Sequence, residues 1–266
     1  MTVMINATLP LYRLLILSAR FYDSEMNDNN QLDSVTCQIK FPALLEIHQN
    51  IHLFQNTVLN EYPDYTTITE GGPSNLPPIA NHRFASSDGL WWINVTNSFI
   101  ALSTSDYRSW MEFMKRLDKI MENFFSCYNI HKTTRIGIRY INAIRPSILK
   151  NLEKMEVPDD MDIWRQLIDE RYISPLTGED DPKGFGATIE YGKGDITVRS
   201  TYGLIQFSDG PSEQGFLIDN DVFTMTEYSI KDYGRVLSEL HSESRAAFSK
   251  MTSKLMKEAV GFVDDR

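Results

Sequence analysis

At 266 residues, with 42% hydrophobic and 11% aromatic content, the chain can bury a sizeable core as one large domain or two small ones. Its 26 basic against 36 acidic residues leave a formal charge of −10, which opposes non-specific attraction to nucleic acid or to an anionic lipid surface. No run of about 18 consecutive apolar residues occurs, so no transmembrane helix is expected.

The apolar stretch from Leu9 to Leu17 is interrupted by Arg13, lacks a positive leading region and has no small-residue cleavage site after it, so export is not expected. A polar stretch from Asp23 to Asn30 then reads as a linker, making residues 1–32 an N-terminal extension. Cys37 and Cys127 lie in apolar surroundings without zinc-ligand spacing, and are expected as buried thiols in a reducing cytoplasm. No cofactor motif is present: there is no Walker A, GxSxG or strand-borne GxGxxG.

A first α/β half is expected over 33–146. Apolar and polar residues roughly alternate from Val35 to Phe41, predicting a strand, and a helical pattern runs from Ala43 to Glu61 until Tyr62-Pro63 stops it. The Gly/Pro-rich 71–78 (GGPSNLPP) predicts an irregular loop. Three β-prone runs follow, Arg83 to Ser87, Leu90 to Thr96 and Phe99 to Thr104, separated by the turn pairs Asp88-Gly89 and Asn97-Ser98. Ser105 or Asp106 is the expected N-cap of a helix carrying Tyr107, Trp110, Met114, Leu117, Met121 and Phe124 on one face. Arg135 to Ile144 alternates Ile136, Ile138, Tyr140 and Asn142 against Arg135, Gly137, Arg139 and Ile141.

A helical linker, broken at Val157-Pro158 and ending in an acidic loop, spans 147–185, and a second β-region with a C-terminal helix spans 186–266. Gly186 to Tyr191, Asp195 to Tyr202 and Gly215 to Thr226 read as strands. From Ser229 to about Gly261, apolar positions at spacings of 3 and 4 predict a long amphipathic helix of about 45 Å, whose end bends, projects or meets another chain. The fold class expected is α+β: two successive antiparallel β-regions packed by helices, related as a distant pseudo-repeat. Strands grouped in hairpins disfavour a parallel, doubly wound sheet.

Four groups of side chains stand out. Arg135 and Arg139, with Asn142, are candidates for binding an anionic ligand, against the plainer reading that Arg139 pairs internally with an acid such as Asp106 or Glu190. Asp219 and Asp221 share a strand face and could hold a divalent cation, with Glu190 and His241 completing a hydrolase or nuclease centre; a solvated or ion-paired edge is the alternative. His48 and His52 have helical i, i+4 spacing but no HExxH glutamate. Trp91-Trp92 places one indole in the core and leaves Trp92 for a partner; Phe248 and Met251 on the long helix are the other candidate partner contacts.

Phe41-Pro42, Glu61-Tyr62-Pro63, Asp106-Tyr107-Arg108-Ser109-Trp110, the Arg135 to Ile144 run and the segment from Leu240-His241 to Leu255 occur in an order that resembles a sporadically distributed bacterial family of roughly this length. The resemblance covers residues 33–262. It brings no catalytic residues to carry over, and implies the setting of mobile accessory genes, including defence and toxin-antitoxin loci. The expected function is a non-catalytic interaction protein with a protein partner or a second copy of itself. The alternatives are a sensor of a small anionic ligand or nucleotide, and a metal-dependent hydrolase or nuclease.

Overall fold

In the computed structural model, residues 32–70, 79–149, 160–176, 184–208 and 212–262 are described. The N-terminal extension, the 71–78 loop, the Val157-Pro158 break and the acidic loop all lie outside them, apart from Leu32. The elements follow as β1 (Leu32–Lys40), α1 (Glu46–Val58), β2 (Asp64–Glu70), β3 (Ile79–Ala85), β4 (Trp91–Val95), β5 (Phe99–Thr104) and α2 (Trp110–Cys127). After these come β6 (Lys132–Thr133), β7 (Arg135–Ile144), α3 (Asp160–Leu167), α4 (Glu170–Ile173), β8 (Gly186–Lys193), β9 (Ile196–Phe207) and β10 (Glu213–Thr224). The chain closes with β11 (Tyr228–Ser229), α5 (Tyr233–Met251) and α6 (Lys254–Ala259).

The α+β class is as expected. The two β-regions, however, are joined: β7 pairs with β10, and one antiparallel sheet of nine strands results, in the order β2-β3-β4-β5-β1-β7-β10-β9-β8. Outward from the central β1–β7 pair, each side carries its later strands in the same sequence, β5-β4-β3 on one and β10-β9-β8 on the other. Each meander leads to a long helix, α2 or α5, so the halves correspond in topology.

Strand alternation decides where the helices pack. Val35, Cys37 and Ile39 of β1, Ile136 and Ile138 of β7 and Val222 of β10 lie in one core cluster with Phe54 of α1, Phe113, Leu117 and Phe124 of α2, and Leu237 and Leu240 of α5. A second cluster on the same side of the sheet joins Ile144, Phe216 and Ile218 to Trp164 and Leu167 of α3, Phe248 and Met251 of α5, and Met256 of α6. No described helix packs on the opposite face.

Several boundaries moved for local reasons. β2 was not anticipated, although Tyr65 to Thr69 is a β-prone run of aromatic and β-branched residues following Pro63. The N-cap of α2 is Ser109, whose hydroxyl accepts from the Glu112 amide at 3.2 Å, rather than Ser105 or Asp106. The C-terminal helix bends back instead of projecting. Thr252 is extended, its hydroxyl donates to the Phe248 carbonyl at 2.8 Å, and Ser253 caps α6 by accepting from the Met256 amide. The Ser253 amide then donates to the Leu167 carbonyl, fixing the bend against α3. The turns at Gly89 (φ +71°) and Gly194 (φ +60°) use the left-handed backbone that only glycine adopts cheaply.

Candidate functional site

The antiparallel register carries one row of side chains across the sheet. Opposite one another in succession lie Asp64 (β2), Ala85 (β3), Trp92 (β4), Ser103 (β5), Thr36 (β1), Arg139 (β7), Asp221 (β10), Arg199 (β9) and Glu190 (β8). All stand on the face that no described helix covers, because their neighbours in each strand point into the core.

From β7 to β8 the charges on this face are already matched. Arg139 forks onto Asp219, donating from Nε at 2.7 Å and from Nη2 at 2.6 Å. These hydrogen bonds first, with the Coulomb attraction of Asp219 and Asp221, hold the Arg139 guanidinium above its usual pKa against the opposing effect of burial. Arg135 donates to both oxygens of Asp221, at 3.1 and 3.2 Å, and to Gln38 on β1 at 3.2 Å. Arg199 donates to Glu190 at 2.7 Å. The guanidinium carbons of Arg135 and Arg199 stand 4.6 and 5.5 Å from the centre of the Phe223 ring, and that of Arg83 is 4.7 Å from Trp92. Thr36 and Ser103 hydroxyls meet at 2.9 Å.

Glycine makes room for the central arginine. A Cβ on Gly137 would stand 2.5 Å from Arg135 Nη1 and 2.9 Å from its Cζ. Arg135 therefore lies flat over Gly137, the residue that faces Gln38 on one side and Phe223 on the other, and reaches both neighbouring strands.

The sites expected from the sequence regroup accordingly. Asn142 does not join Arg135 and Arg139: it lies on the helix side, buried, with its amide donating to the Ile218 carbonyl at 3.3 Å. The arginines pair internally, but with Asp219 and Asp221 rather than with Asp106 or Glu190. Those two carboxylates consequently face guanidinium groups, and among the described residues no cluster of three His, Cys, Asp or Glu side chains is formed. His241 is separated from them by the sheet itself. It stacks on Trp110, centroids 4.2 Å apart and planes 4° from parallel, and its Nδ1 lies 2.7 Å from the Tyr140 hydroxyl on the core side. Burial holds the Tyr140 phenol well above its usual pKa, so it stays protonated beside that nitrogen and the neighbouring Tyr107 hydroxyl.

Phe248 and Met251 are not surface contacts. At 7% and 1% exposure they fill the second core cluster, because the bend at Thr252 folds α6 and α3 over them. Trp91 and Trp92 divide as expected, with Trp91 in the core and Trp92 part-exposed on the open face. Cys37 is buried, its thiol pushed up by burial, whereas Cys127 is only half-buried; both are free. His48 meets His82 rather than pairing with His52. The row members Thr36, Ser103 and Arg199 and their neighbours Arg83 and Phe223 were missed. Period-2 alternation assigns each to a face, but only the cross-strand register brings them together.

No family model and no curated protein matches the chain. None of the described helices is long and apolar enough to cross a membrane.

Proposed function

We propose that the protein is a recognition module that binds a protein partner over the open face of its sheet. The observation that carries this reading is the uninterrupted row from Trp92 to Glu190, with Arg135, Asp219 and Phe223 beside it. Aromatic and arginine side chains are the groups that anchor protein interfaces. Guanidinium groups held by carboxylates and stacked on rings are pre-ordered, so docking orders few additional rotamers. The mixed signs of charge suit a polypeptide better than a polyanion. Binding is favoured over hydrolysis because Asp219, Asp221 and Glu190 are each engaged by an arginine, and over an anion sensor for the same reason. With two free thiols and an acidic composition, a cytoplasmic setting fits, and the bacterial resemblance suggests a toxin or defence effector as the partner.

The test is native mass spectrometry of the gently purified protein, wild type beside Trp92→Ala and Arg199→Glu, with Met111→Ala on the helix side as control. A stoichiometric second protein lost from both face variants and kept by the control is the expected result. Retention of that protein in both face variants would reject the open face as its docking surface.

A further inference from the structure

The sheet has two edges of different character. On β8, Glu190 is ion-paired to Arg199 and Lys193 to Glu243, and charged side chains of this kind blunt an edge against further pairing. β2 has no lysine, arginine or proline, and its register with β3 runs from Asp64–Ala85 to Glu70–Ile79 without a bulge. Its outward backbone N–H and C=O groups meet no further strand among the described residues. Tyr65, Thr66, Thr67 and Ile68 are all exposed.

Exposed apolar side chains gather at this same edge. Of the seven large ones found among the described residues, Leu45, Leu53, Leu59, Tyr65 and Ile68 belong to β2 or to α1 and its flanks. α1 lies over the edge region, with Phe54 against Phe84 of β3 and His48 bonded to His82 of β3. His52, Gln55 and Leu59, at spacings of 3 and 4, form a stripe on its outer surface.

We propose that two copies of the chain associate through β2, antiparallel about a two-fold axis perpendicular to the sheet. This operation pairs the free strand edges and keeps the helices of both copies on the same side, so that α1 lies beside its mate. A lone extended peptide would satisfy the edge but leave Leu45 and Leu59 in water; a second copy brings strand and helix together. Charge agrees with this choice. The chain carries −10 overall, yet between its acidic ends Asp64 and Glu70 the strand has no charged residue, and the stripe holds no Asp, Glu, Lys or Arg, so two like-charged molecules meet along a band largely without charge. A stable interface buries about 800 Å² per partner, which a seven-residue strand approaches only with a flanking helix. The two open faces then become one continuous surface. The association is independent of the partner-binding reading.

Sedimentation of the purified full chain at micromolar concentration tests it, with Ile68→Lys, Leu59→Glu and, as a control at a distant exposed site, Met225→Lys. The expected outcome is a wild-type dimer, weakened about tenfold or more by each of the first two changes and untouched by the third, with the circular dichroism of the folded chain unchanged. A monomeric wild type would overturn the proposal. So would a dimer indifferent to Ile68→Lys and Leu59→Glu, or one lost equally in Met225→Lys.

Discussion

Arg139 bonds to Asp219, two residues along β10 from the aspartate that faces it in register; the facing residue, Asp221, is taken by Arg135. The Asp219 side chain is 11% exposed and that of Arg139 39%, so the two ends of the pair are not equivalent. Arg139→Ala strands a nearly buried carboxylate and is expected to cost about 2–3 kcal/mol. Asp219→Ala leaves a guanidinium that can still turn to water, and should cost about 1 kcal/mol. Replacing both with apolar residues should recover part of the loss. Urea unfolding of the four proteins checks this order, and equal costs for the two single variants would contradict it.

Gly137→Ala acts on the site with little effect on the fold. The new methyl occupies the space of the Arg135 guanidinium, the mobile end of a long side chain, which moves and gives up Asp221 and the Phe223 ring. Stability should change by about 1 kcal/mol or less, while partner binding falls. The side-chain Nε–H resonance of Arg135 reports the displacement directly, and an unchanged resonance would show that Arg135 does not need this glycine.

How far the sequence leads is plain from β7. Its alternation, its limits and the separation of its arginines from Tyr140 are all legible in Arg135 to Ile144. The partners of those arginines are not, because a strand's face follows from its own period, whereas its register depends on contacts some eighty residues away. The C-terminal helix shows another limit. Its apolar spacing continues through Thr252-Ser253, so periodicity alone passes over a break made by a threonine hydroxyl and a serine cap. Likewise Phe248 and Met251 follow the helical stripe, but whether a stripe is buried by its own chain depends on where the next segment folds.

His82 makes the fold sensitive to acid. Its Nε2 lies 3.1 Å from His48 Nδ1 and its Nδ1 2.9 Å from the Tyr65 hydroxyl, an arrangement that a neutral ring satisfies. Burial first, and the neighbouring His48 second, lower its pKa below the usual 6.5. As pH falls, the unfolded chain takes up its proton first. The stability His82 contributes is therefore present above about pH 6.5 and is lost as pH falls through the lower folded value. The urea midpoint should be lower at about pH 5 than at about pH 7.5, and the difference should shrink in His82→Phe. An undiminished difference in that variant would place the sensitive group elsewhere.

The burial of Phe248 and Met251 reverses what a surface role would predict for them. Phe248 stands 5.2 Å from the Phe262 ring, and Met251 lies at the end of α5, where its carbonyl accepts from the Asp169 amide at 2.9 Å. Both pack in the cluster that holds α3 and α6 on the sheet. Truncation to alanine should cost about 3–5 kcal/mol at Phe248 and about 2–5 kcal/mol at Met251. The loss should also be local at first, because Ile163, Trp164, Leu167 and Met256 belong to this cluster whereas the core of α2 belongs to the other. Hydrogen exchange of Met251→Ala is expected to show faster exchange in α3, α6 and the end of α5, with α2 still protected. Unaltered protection in α3 and α6 would mean that Met251 does not anchor that corner of the fold.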